Sequence, residues 1–136
     1  MEDLYTVEDA LVVGCMLISL IKHCDRVRIG CLAQLVNVIA PIFTATGGGI
    51  VKQTTYFPFM HASRYGRGTA LDMRVDSSSY EDPVFDAVPY VEAVGVLSED
   101  RGDLTVFSVN RNLEEVVGLD VDLRDFSTAR VVEHIA

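Results

Sequence analysis

The 136-residue sequence has no tryptophan, few aromatic residues (8%) and no long hydrophobic run. Its main apolar stretch, residues 10–21, is shorter than the roughly 20 residues that a membrane-spanning helix needs. Acidic residues precede this stretch, where a secretory signal would carry positive charge. We therefore expect no membrane span and no export signal.

Negative charge is missing from one part of the chain. No Asp or Glu lies between Asp25 and Asp72, although the sequence has 20 acidic residues and a net charge of -9. Residues 26–71 carry +5, whereas residues 1–25 carry -4 and residues 72–136 carry -10. The overall acidity argues against binding of nucleic acid or an anionic membrane, because both need a cationic face. Any carboxylates for acid–base chemistry must come from outside residues 26–71.

Cysteine is also scarce. Cys15, Cys24 and Cys31 form no CxxC pair and stand among apolar residues. Their odd number and their spacing fit neither a disulfide framework nor a zinc site. We expect reduced, buried thiols in a cytoplasmic protein.

The first predicted element is a helix from about Val7 to His23. Thr6 and Asp9 form a capping pair at its start, with acidic residues in the first turn. Apolar residues occupy every face of this helix, which predicts burial on nearly all sides. A small domain cannot bury a helix in this way, so the pattern indicates a larger packed layer.

An α/β repeat follows. Val27–Leu32 is short, continuous and apolar, which is typical of a strand buried on both faces of a parallel sheet. Pro41 and the glycines at 47–49 mark a loop, and Thr54–Tyr65 is predicted to be a second helix. The glycine run lacks the spacing of a phosphate-binding loop, so we interpret it as a flexible connection.

From Thr69 onward the apolar residues alternate with polar ones, as in half-buried strands. An antiparallel β-sandwich is predicted, with one apolar and one acidic face. Ser77–Pro83 is interpreted as a surface loop. The five predicted strands are Leu71–Val75, Tyr90–Leu97, Leu104–Val109, Val117–Leu123 and Ala129–Ile135.

Two amides are the candidate site residues. Gln34 and Asn37 lie just past the predicted strand, and in a (β/α)8 barrel the side chains at this end of a strand face the active site. They could therefore hydrogen-bond a polar substrate such as a sugar hydroxyl. Amides at this position also cap the turn that follows a strand, and the residues alone leave both interpretations open.

Other reactive side chains form no convincing constellation. His23, His61 and His134 are scattered, without the spacing of a metal site or a neighbouring carboxylate. The acidic pairs lie in predicted turns and strands, and neighbours on a strand point to opposite faces. They are Glu81 and Asp82, Glu99 and Asp100, and Glu114 and Glu115. We expect no metal site, and we interpret the acidic pairs as a solvated surface.

Four motifs identify a known family: VEDALVVGCMLISLIKHCDRVRIGCLAQLVNVIAPIFT, residues 53–59, HASRYGRG and SVNRNLEEVVGLDVDLRDF. Two of their segments, CLAQLVNVIAPI and HASRYGRG, are long, ungapped and specific. Over nearly its whole length the chain closely resembles the C-terminal part of the α-L-arabinofuranosidases of glycoside hydrolase family 51.

The resemblance implies a (β/α)8 catalytic barrel that carries a β-sandwich. The fold class is then an α+β fragment, with the last helix, strand and helix of the barrel in residues 1–66. Residues 67–136 are a jelly-roll-like sandwich, which we expect to lack closing strands after His134. The reaction implied is retaining hydrolysis of terminal arabinofuranosyl residues from arabinan and arabinoxylan oligosaccharides, without a metal or organic cofactor.

Gln34 is the one site residue that the resemblance transfers, as a substrate-binding contact to arabinose. Both catalytic glutamates of the family lie upstream, and neither of their motifs occurs here. We therefore expect this chain alone to be inactive. One barrel strand cannot bury both its faces, so exposed apolar surface should also drive homo-oligomer formation.

The alternative is a non-catalytic β-sandwich module that binds carbohydrate or a partner protein. In it the helical segment would serve as a docking element. The lack of tryptophan speaks against the carbohydrate version, because large aromatic rings supply flat apolar contact area.

Overall fold

The computed structural model describes residues 3–98, 100, 102–126 and 128–136. These residues form an α+β fold of two helices and small antiparallel sheets. Within them, no helix is long and apolar enough to cross a membrane. The elements are α1 (Val7–Lys22), β1 (Ile42–Ala45), β2 (Gly49–Lys52), α2 (Tyr56–Tyr65), β3 (Thr69–Leu71), β4 (Ser79–Tyr80), β5 (Val88–Pro89), β6 (Val91–Ser98), β7 (Asp103–Asn110) and a 3-10 turn at Arg124–Phe126.

Helix α1 begins as its capping pair predicts. The Thr6 backbone N–H donates to the Asp9 carboxylate at 2.6 Å, and the Asp9 N–H donates to the Thr6 hydroxyl at 3.5 Å. The backbone hydrogen bond from Thr6, helped by its hydroxyl, lowers the pKa of Asp9. His23 caps the C-terminal end, within one residue of the predicted boundary. The helix over Thr54–Tyr65 is confirmed as α2, which begins two residues later than predicted.

The core lies between α1 and the hairpin formed by β6 and β7. Ile18 of α1 packs against Val94 and Val109, and Val94 is fully buried. A Cβ at Gly14 would stand 3.0 Å from the Val109 Cγ2, so this glycine allows the helix to approach the sheet closely. The partly buried side chains around this centre are Leu11, Cys15, Ile21 and Phe107.

The opposite side of α1 is exposed, so the prediction of burial on nearly all sides is wrong for this structure. Val12, Met16 and Leu20 form an apolar stripe with exposed fractions of 48%, 62% and 38%. Among the described residues, α2 and the three-stranded sheet pack against the other side of the helix, and residues 27–30 approach the stripe only at Leu20.

The predicted strand Val27–Leu32 is not formed. Residues 27–32 are irregular, and Ile29 is 81% exposed. A parallel strand needs a neighbouring strand to receive its hydrogen bonds, and the described sheets, all antiparallel, lie elsewhere. Residues 27–30 instead line a groove of about 430 Å³ between α1 and α2.

The prediction of buried cysteines is wrong for two of the three. All three are free thiols, but Cys24 and Cys31 are exposed and Cys15 is half-buried. Cys24 precedes the irregular segment and Cys31 lies within it, and much of this segment is exposed, whereas Cys15 packs against the core.

The three-stranded sheet has the order β3-β6-β7. Strands β6 and β7 pair from Val91 with Asn110 to Ser98 with Asp103, which confirms the predictions over 90–97 and 104–109. Strand β3 adds to the other edge of β6, where Thr69 pairs with Leu97.

The other strand predictions are wrong in this structure. The stretch Leu71–Val75 pairs only at its first residue, and both Val117–Leu123 and Ala129–Ile135 lack strand structure. Alternation specifies which side chains share a face, but a strand also needs a free edge to pair with, and these stretches meet none among the described residues. Several apolar side chains of the last two stretches are accordingly exposed, as at Val131 (84%), whereas those of the first stretch are half-buried.

Two short pairings were not predicted. The glycine run is the turn of a hairpin in which β1 pairs with β2, and Gly47 and Gly48 have φ angles of 100° and 103°. Strand β4 lies inside the predicted loop Ser77–Pro83 and pairs with β5. Both pairings are too short for an alternating pattern to stand out.

An ion-pair cluster joins α1 to the sheet. Glu92 on β6 binds Lys22 at the end of α1, and its Oε2 lies 3.0 Å from the Nη2 of Arg111. Arg111 also donates to the carbonyl oxygen of Pro89 at 2.7 Å. Burial alone would raise the pKa of Glu92, but hydrogen bonds and charges from both cations lower it below its ordinary value of 4.5.

Because the pKa of Glu92 is lower in the folded than in the unfolded state, its ion pairs stabilise the fold above the unfolded pKa of about 4.5. That contribution is lost as the pH falls through the folded pKa. We expect Glu92→Gln to reduce the free energy of unfolding by about 1 kcal/mol at pH 7, since the pairs are partly exposed. Urea unfolding at pH 7 and pH 3 should give a smaller difference at pH 3; an equal difference at both would contradict this assignment.

Candidate functional site

The candidate residue Gln34 lies in residues 34–44, which follow the irregular segment and include the first three residues of β1. We call this stretch the turn segment. Its side chain is exposed and has no hydrogen-bond partner among the residues that the structure describes. Its φ angle is 58°, and Asn37 and Val38 follow with 61° and 62°. In the described chain, the non-glycine residues with a positive φ angle all lie within residues 34–38. The backbone is therefore strained where the candidate amide is held.

Asn37, the second candidate, is engaged within the turn. Its Oδ1 accepts a hydrogen bond from the backbone N–H of Thr44 at 2.8 Å, and its Nδ2 donates to the Thr44 hydroxyl at 3.0 Å. Its own N–H donates to the carbonyl of Ile42 at 2.8 Å, and the Ala40 N–H donates to its carbonyl at 3.1 Å. The geometry of Asn37 is that of a turn-capping amide, one of the two roles that its position in the sequence allows.

Gln53 is a supporting residue that the sequence did not single out for this role. It is buried, with 7% of its surface exposed. Its Oε1 accepts from the N–H of Tyr5 at 2.9 Å, and its Nε2 donates to the carbonyls of Ala40 at 2.8 Å and Asp3 at 3.2 Å. One amide thus ties the N-terminal segment to the turn segment. Its partners are 13 to 50 residues away, so no local pattern could have revealed them.

The N-terminal segment holds the turn at further points. The Asp3 N–H donates to the carbonyl of Val38 at 2.9 Å, and the Tyr5 hydroxyl donates to the carbonyl of Ile39 at 2.7 Å. Beside them, Gln53 donates its backbone N–H to the carbonyl of Pro41 at 2.8 Å. The turn segment is therefore fixed by hydrogen bonds on both sides, although much of its surface is exposed.

The chemistry available at the turn segment is binding. The segment's own polar groups are neutral amides, hydroxyls and backbone groups, and the acidic residue bonded to it, Asp3, makes these bonds through its backbone. Two of the three histidines are engaged elsewhere: His23 bonds the carbonyl of Ser19, and the ring of His61 lies against Tyr65. An exposed amide can donate to and accept from hydroxyl groups, but it cannot serve as a general acid or base near neutral pH.

The groove between α1 and α2 is a separate feature, because Gln34 is not among its lining residues. Its walls are mostly apolar. Arg28 and Arg67, which belong to the basic part of the chain (residues 26–71), also line it. The Nε of Arg67 donates a hydrogen bond to the carbonyl of Ser63 at 3.2 Å.

Comparison with known proteins places this chain in a family. The family model for the alpha-L-arabinofuranosidase C-terminal domain matches residues 1–136. The intracellular exo-alpha-(1->5)-L-arabinofuranosidase of Halalkalibacterium halodurans is 53% identical over 99% of the chain, and enzyme 1 of that name from Bacillus subtilis is 48% identical over 99%. A solved family 51 alpha-L-arabinofuranosidase from Bifidobacterium longum matches 83% of the chain with a TM-score of 0.78 and 41% identity.

The chain therefore belongs to the alpha-L-arabinofuranosidase C-terminal domain family, and the resemblance to family 51 is confirmed. It covers 27% of each of these two curated relatives and 22% of the solved chain.

Proposed function

We propose that residues 1–136 form the C-terminal part of a retaining α-L-arabinofuranosidase. The whole enzyme would remove terminal arabinofuranosyl residues from arabinan and arabinoxylan oligosaccharides, without a cofactor. The observation that carries this proposal is the family match over the full chain, together with 53% identity to a relative named for this activity. The catalytic glutamates would lie in the rest of the enzyme, so this chain alone would be inactive.

Gln34 is the residue proposed to contact the bound arabinose. Three features support the role: its side chain is exposed, its amide lacks a protein partner among the described residues, and its backbone is held in a strained, well-bonded turn. An amide offers two donors and an acceptor, which suits the hydroxyl groups of a sugar.

The exposed apolar surface of the first half supports the proposed domain division. We propose that residues 1–66 complete a (β/α)8 barrel and that residues 67–136 belong to a β-sandwich. The stripe on α1 and the exposed Ile29 are the surfaces that the remainder of a barrel would bury. Next to neighbouring barrel strands, residues 27–32 would acquire the hydrogen-bond partners that a parallel strand requires.

A cytoplasmic location and a homo-oligomer are further parts of the proposal. The curated relatives from Halalkalibacterium halodurans and Bacillus subtilis are named intracellular enzymes. Exposed apolar surface on the helical half would favour self-association.

A chimera tests the function. Residues 1–136 replace the matching C-terminal segment of the Halalkalibacterium halodurans enzyme, and hydrolysis of an arabinofuranoside is measured. We expect the chimera to be active and Gln34→Ala to lower its kcat/KM by about 10- to 100-fold, as for loss of one or two hydrogen bonds to substrate. The isolated chain should show no turnover.

Asn112→Ala is the matched control for the chimera. Asn112 also caps a turn, accepting from the N–H groups of Glu114 and Glu115 at 3.0 Å, but it lies after β7. Its replacement should leave kcat/KM unchanged. A folded but inactive chimera would contradict the proposed function, whereas an active chimera unaffected by Gln34→Ala would remove Gln34 from the site. Steady turnover by the isolated chain would refute the claim that it is inactive alone.

A further inference from the structure

The backbone around Gln34 adopts a conformation that its side chains disfavour. Gln34, Asn37 and Val38 have φ angles between 58° and 62°, and a Cβ in this left-handed region crowds the following carbonyl. Val38 is β-branched, for which such an angle is especially unusual. Strained residues of this kind persist only where the surrounding structure fixes them, and they concentrate at functional sites.

Beside the contacts from Gln53 and Tyr5, the turn has a side-chain link of its own, between Asn37 and Thr44. Thr44 is held in β1, where it pairs with Ile50 of β2, so it provides a rigid anchor. Asn37 tolerates a positive φ better than most residues, and its amide meets both the N–H and the hydroxyl of Thr44. Three hydrogen-bond contacts are thus made between the two residues, counting the Thr44 hydroxyl and the Asn37 Oδ1 at 3.3 Å.

We propose that Asn37 is a positioning residue for Gln34. Its connection to Thr44 fixes the left-handed turn three residues after Gln34, so that the Gln34 amide is held in its binding position before the substrate arrives. Preorganisation of this kind removes the ordering cost that a flexible segment would incur on binding. The inference rests on the proposed function, because the position of Gln34 matters only if Gln34 contacts the substrate.

A double-mutant cycle in the active chimera tests the inference. Asn37→Ala should lower kcat/KM by about 5- to 50-fold, with the same division between kcat and KM as Gln34→Ala. In the Gln34→Ala background, Asn37→Ala should have less than a 2-fold further effect, because no amide remains to be positioned. If Asn37 had a purely structural role, the double variant would instead lower kcat/KM by the product of the two single effects.

Conservative variants add a second readout. Thr44→Ser keeps the hydroxyl and should retain activity within about 2-fold. Thr44→Val removes the hydroxyl but keeps the backbone N–H bond to the Asn37 Oδ1, so it should lower kcat/KM less than Asn37→Ala does. Asn37→Asp keeps the acceptor for the Thr44 N–H and loses the donor, so an intermediate kcat/KM is expected. If Asn37→Ala does not fold, Asn37→Asp and Thr44→Val take its place in the cycle.

The outcomes separate the two proposals. Multiplicative effects of Asn37→Ala and Gln34→Ala would overturn the positioning role while leaving the substrate contact of Gln34 intact. An inactive chimera, or one indifferent to Gln34→Ala, would overturn the proposed function or the role of Gln34, and the positioning role would fall with it. Asn112→Ala, measured beside each variant, should show no coupling to Gln34→Ala.

Discussion

Gly68→Ala is expected to lower the free energy of unfolding by about 4 kcal/mol, a large part of the stability of a chain of this size. A Cβ at this position would overlap the carbonyl oxygen of Leu97, stand 2.8 Å from its carbonyl carbon and 3.1 Å from the Cα of Ser98. These are backbone atoms of β6, the central strand of the sheet, and cannot rotate away as a side chain could. The φ angle of 143° adds strain that only glycine avoids.

The effect at Gly68 has two components, backbone strain from its φ angle and steric overlap with β6, and substitutions at other glycines measure them separately. Gly47 has a φ angle of 100° but open space around its Cβ position, so Gly47→Ala should show the backbone strain alone, about 1 kcal/mol. Gly118 has neither a positive φ nor a neighbour within 4 Å, and Gly118→Ala should change the stability by less than about 0.5 kcal/mol. The remainder at Gly68 measures the overlap between this position, just before β3, and the backbone of β6.

Urea unfolding followed by far-ultraviolet circular dichroism would measure the three variants under one condition. The order of destabilisation should be Gly68→Ala, then Gly47→Ala, then Gly118→Ala. Equal losses for the first two would mean that β3 moves away from β6 at little cost. The close approach would then have no structural importance.

The elements that could be predicted are those whose signals are local. The capping pair of Thr6 and Asp9 and the continuous apolar composition place α1 within one residue of its observed end. Strands β6 and β7 are close in sequence and pair with each other, and the turn-rich segments SEDRGD and NRN that bound their apolar stretches were sufficient to locate them.

The elements that were predicted wrongly depend on distant partners. Residues 27–32, 117–123 and 129–135 have the composition of strands, yet they meet no free strand edge in the described chain. An apolar composition indicates that a segment is stable as a buried strand, but the neighbouring strand must come from elsewhere in the protein. The exposed stripe on α1 has the same origin, because its apolar residues require a neighbouring layer that is not among the described residues.

The candidate site also has a part that the sequence predicts and a part that only the fold reveals. The position of Gln34 after an apolar stretch made it one of two plausible amides, and only the resemblance to family 51 gave it a specific role. The structure then distinguishes the two amides, because Asn37 is bonded to Thr44 and Gln34 is not bonded to any described residue. Gln53 could not have been predicted as a support, since its partners are brought to it by the fold.

Gln53→Leu is expected to lower the free energy of unfolding by about 3 kcal/mol. Leucine fills a similar volume but leaves the Tyr5 N–H and the carbonyls of Ala40 and Asp3 without the partner that Gln53 provides. Ala40 is fully buried, so water cannot replace the lost donor there, while the more exposed Asp3 can be rehydrated. Each buried group left without a partner costs about 1–3 kcal/mol.

Gln53→Glu gives a sharper test because it separates the donor from the acceptor. A carboxylate still accepts from the Tyr5 N–H, but it has no proton to donate to Ala40, whose carbonyl oxygen it would face. Burial without a cation raises the pKa of the new carboxyl in the folded state, so the variant should lose about 4 kcal/mol at pH 7 and regain stability as the pH falls. The protonated acid can donate once more, which should bring it closer to the unsubstituted chain at pH 4.5.

Gln34 provides the matched control for both substitutions at Gln53. Its side chain is exposed and makes no hydrogen bond to the described residues, so Gln34→Leu and Gln34→Glu should each change the stability by less than about 0.5 kcal/mol at pH 7 and pH 4.5. Urea unfolding of the four variants at the two pH values completes the comparison. If Gln53→Glu were as stable as the unsubstituted chain at pH 7, the donor to Ala40 would have no role in holding the turn segment. The rigidity on which the placement of Gln34 depends would then have to come from the link between Asn37 and Thr44 and from the bonds of the N-terminal segment to Val38 and Ile39.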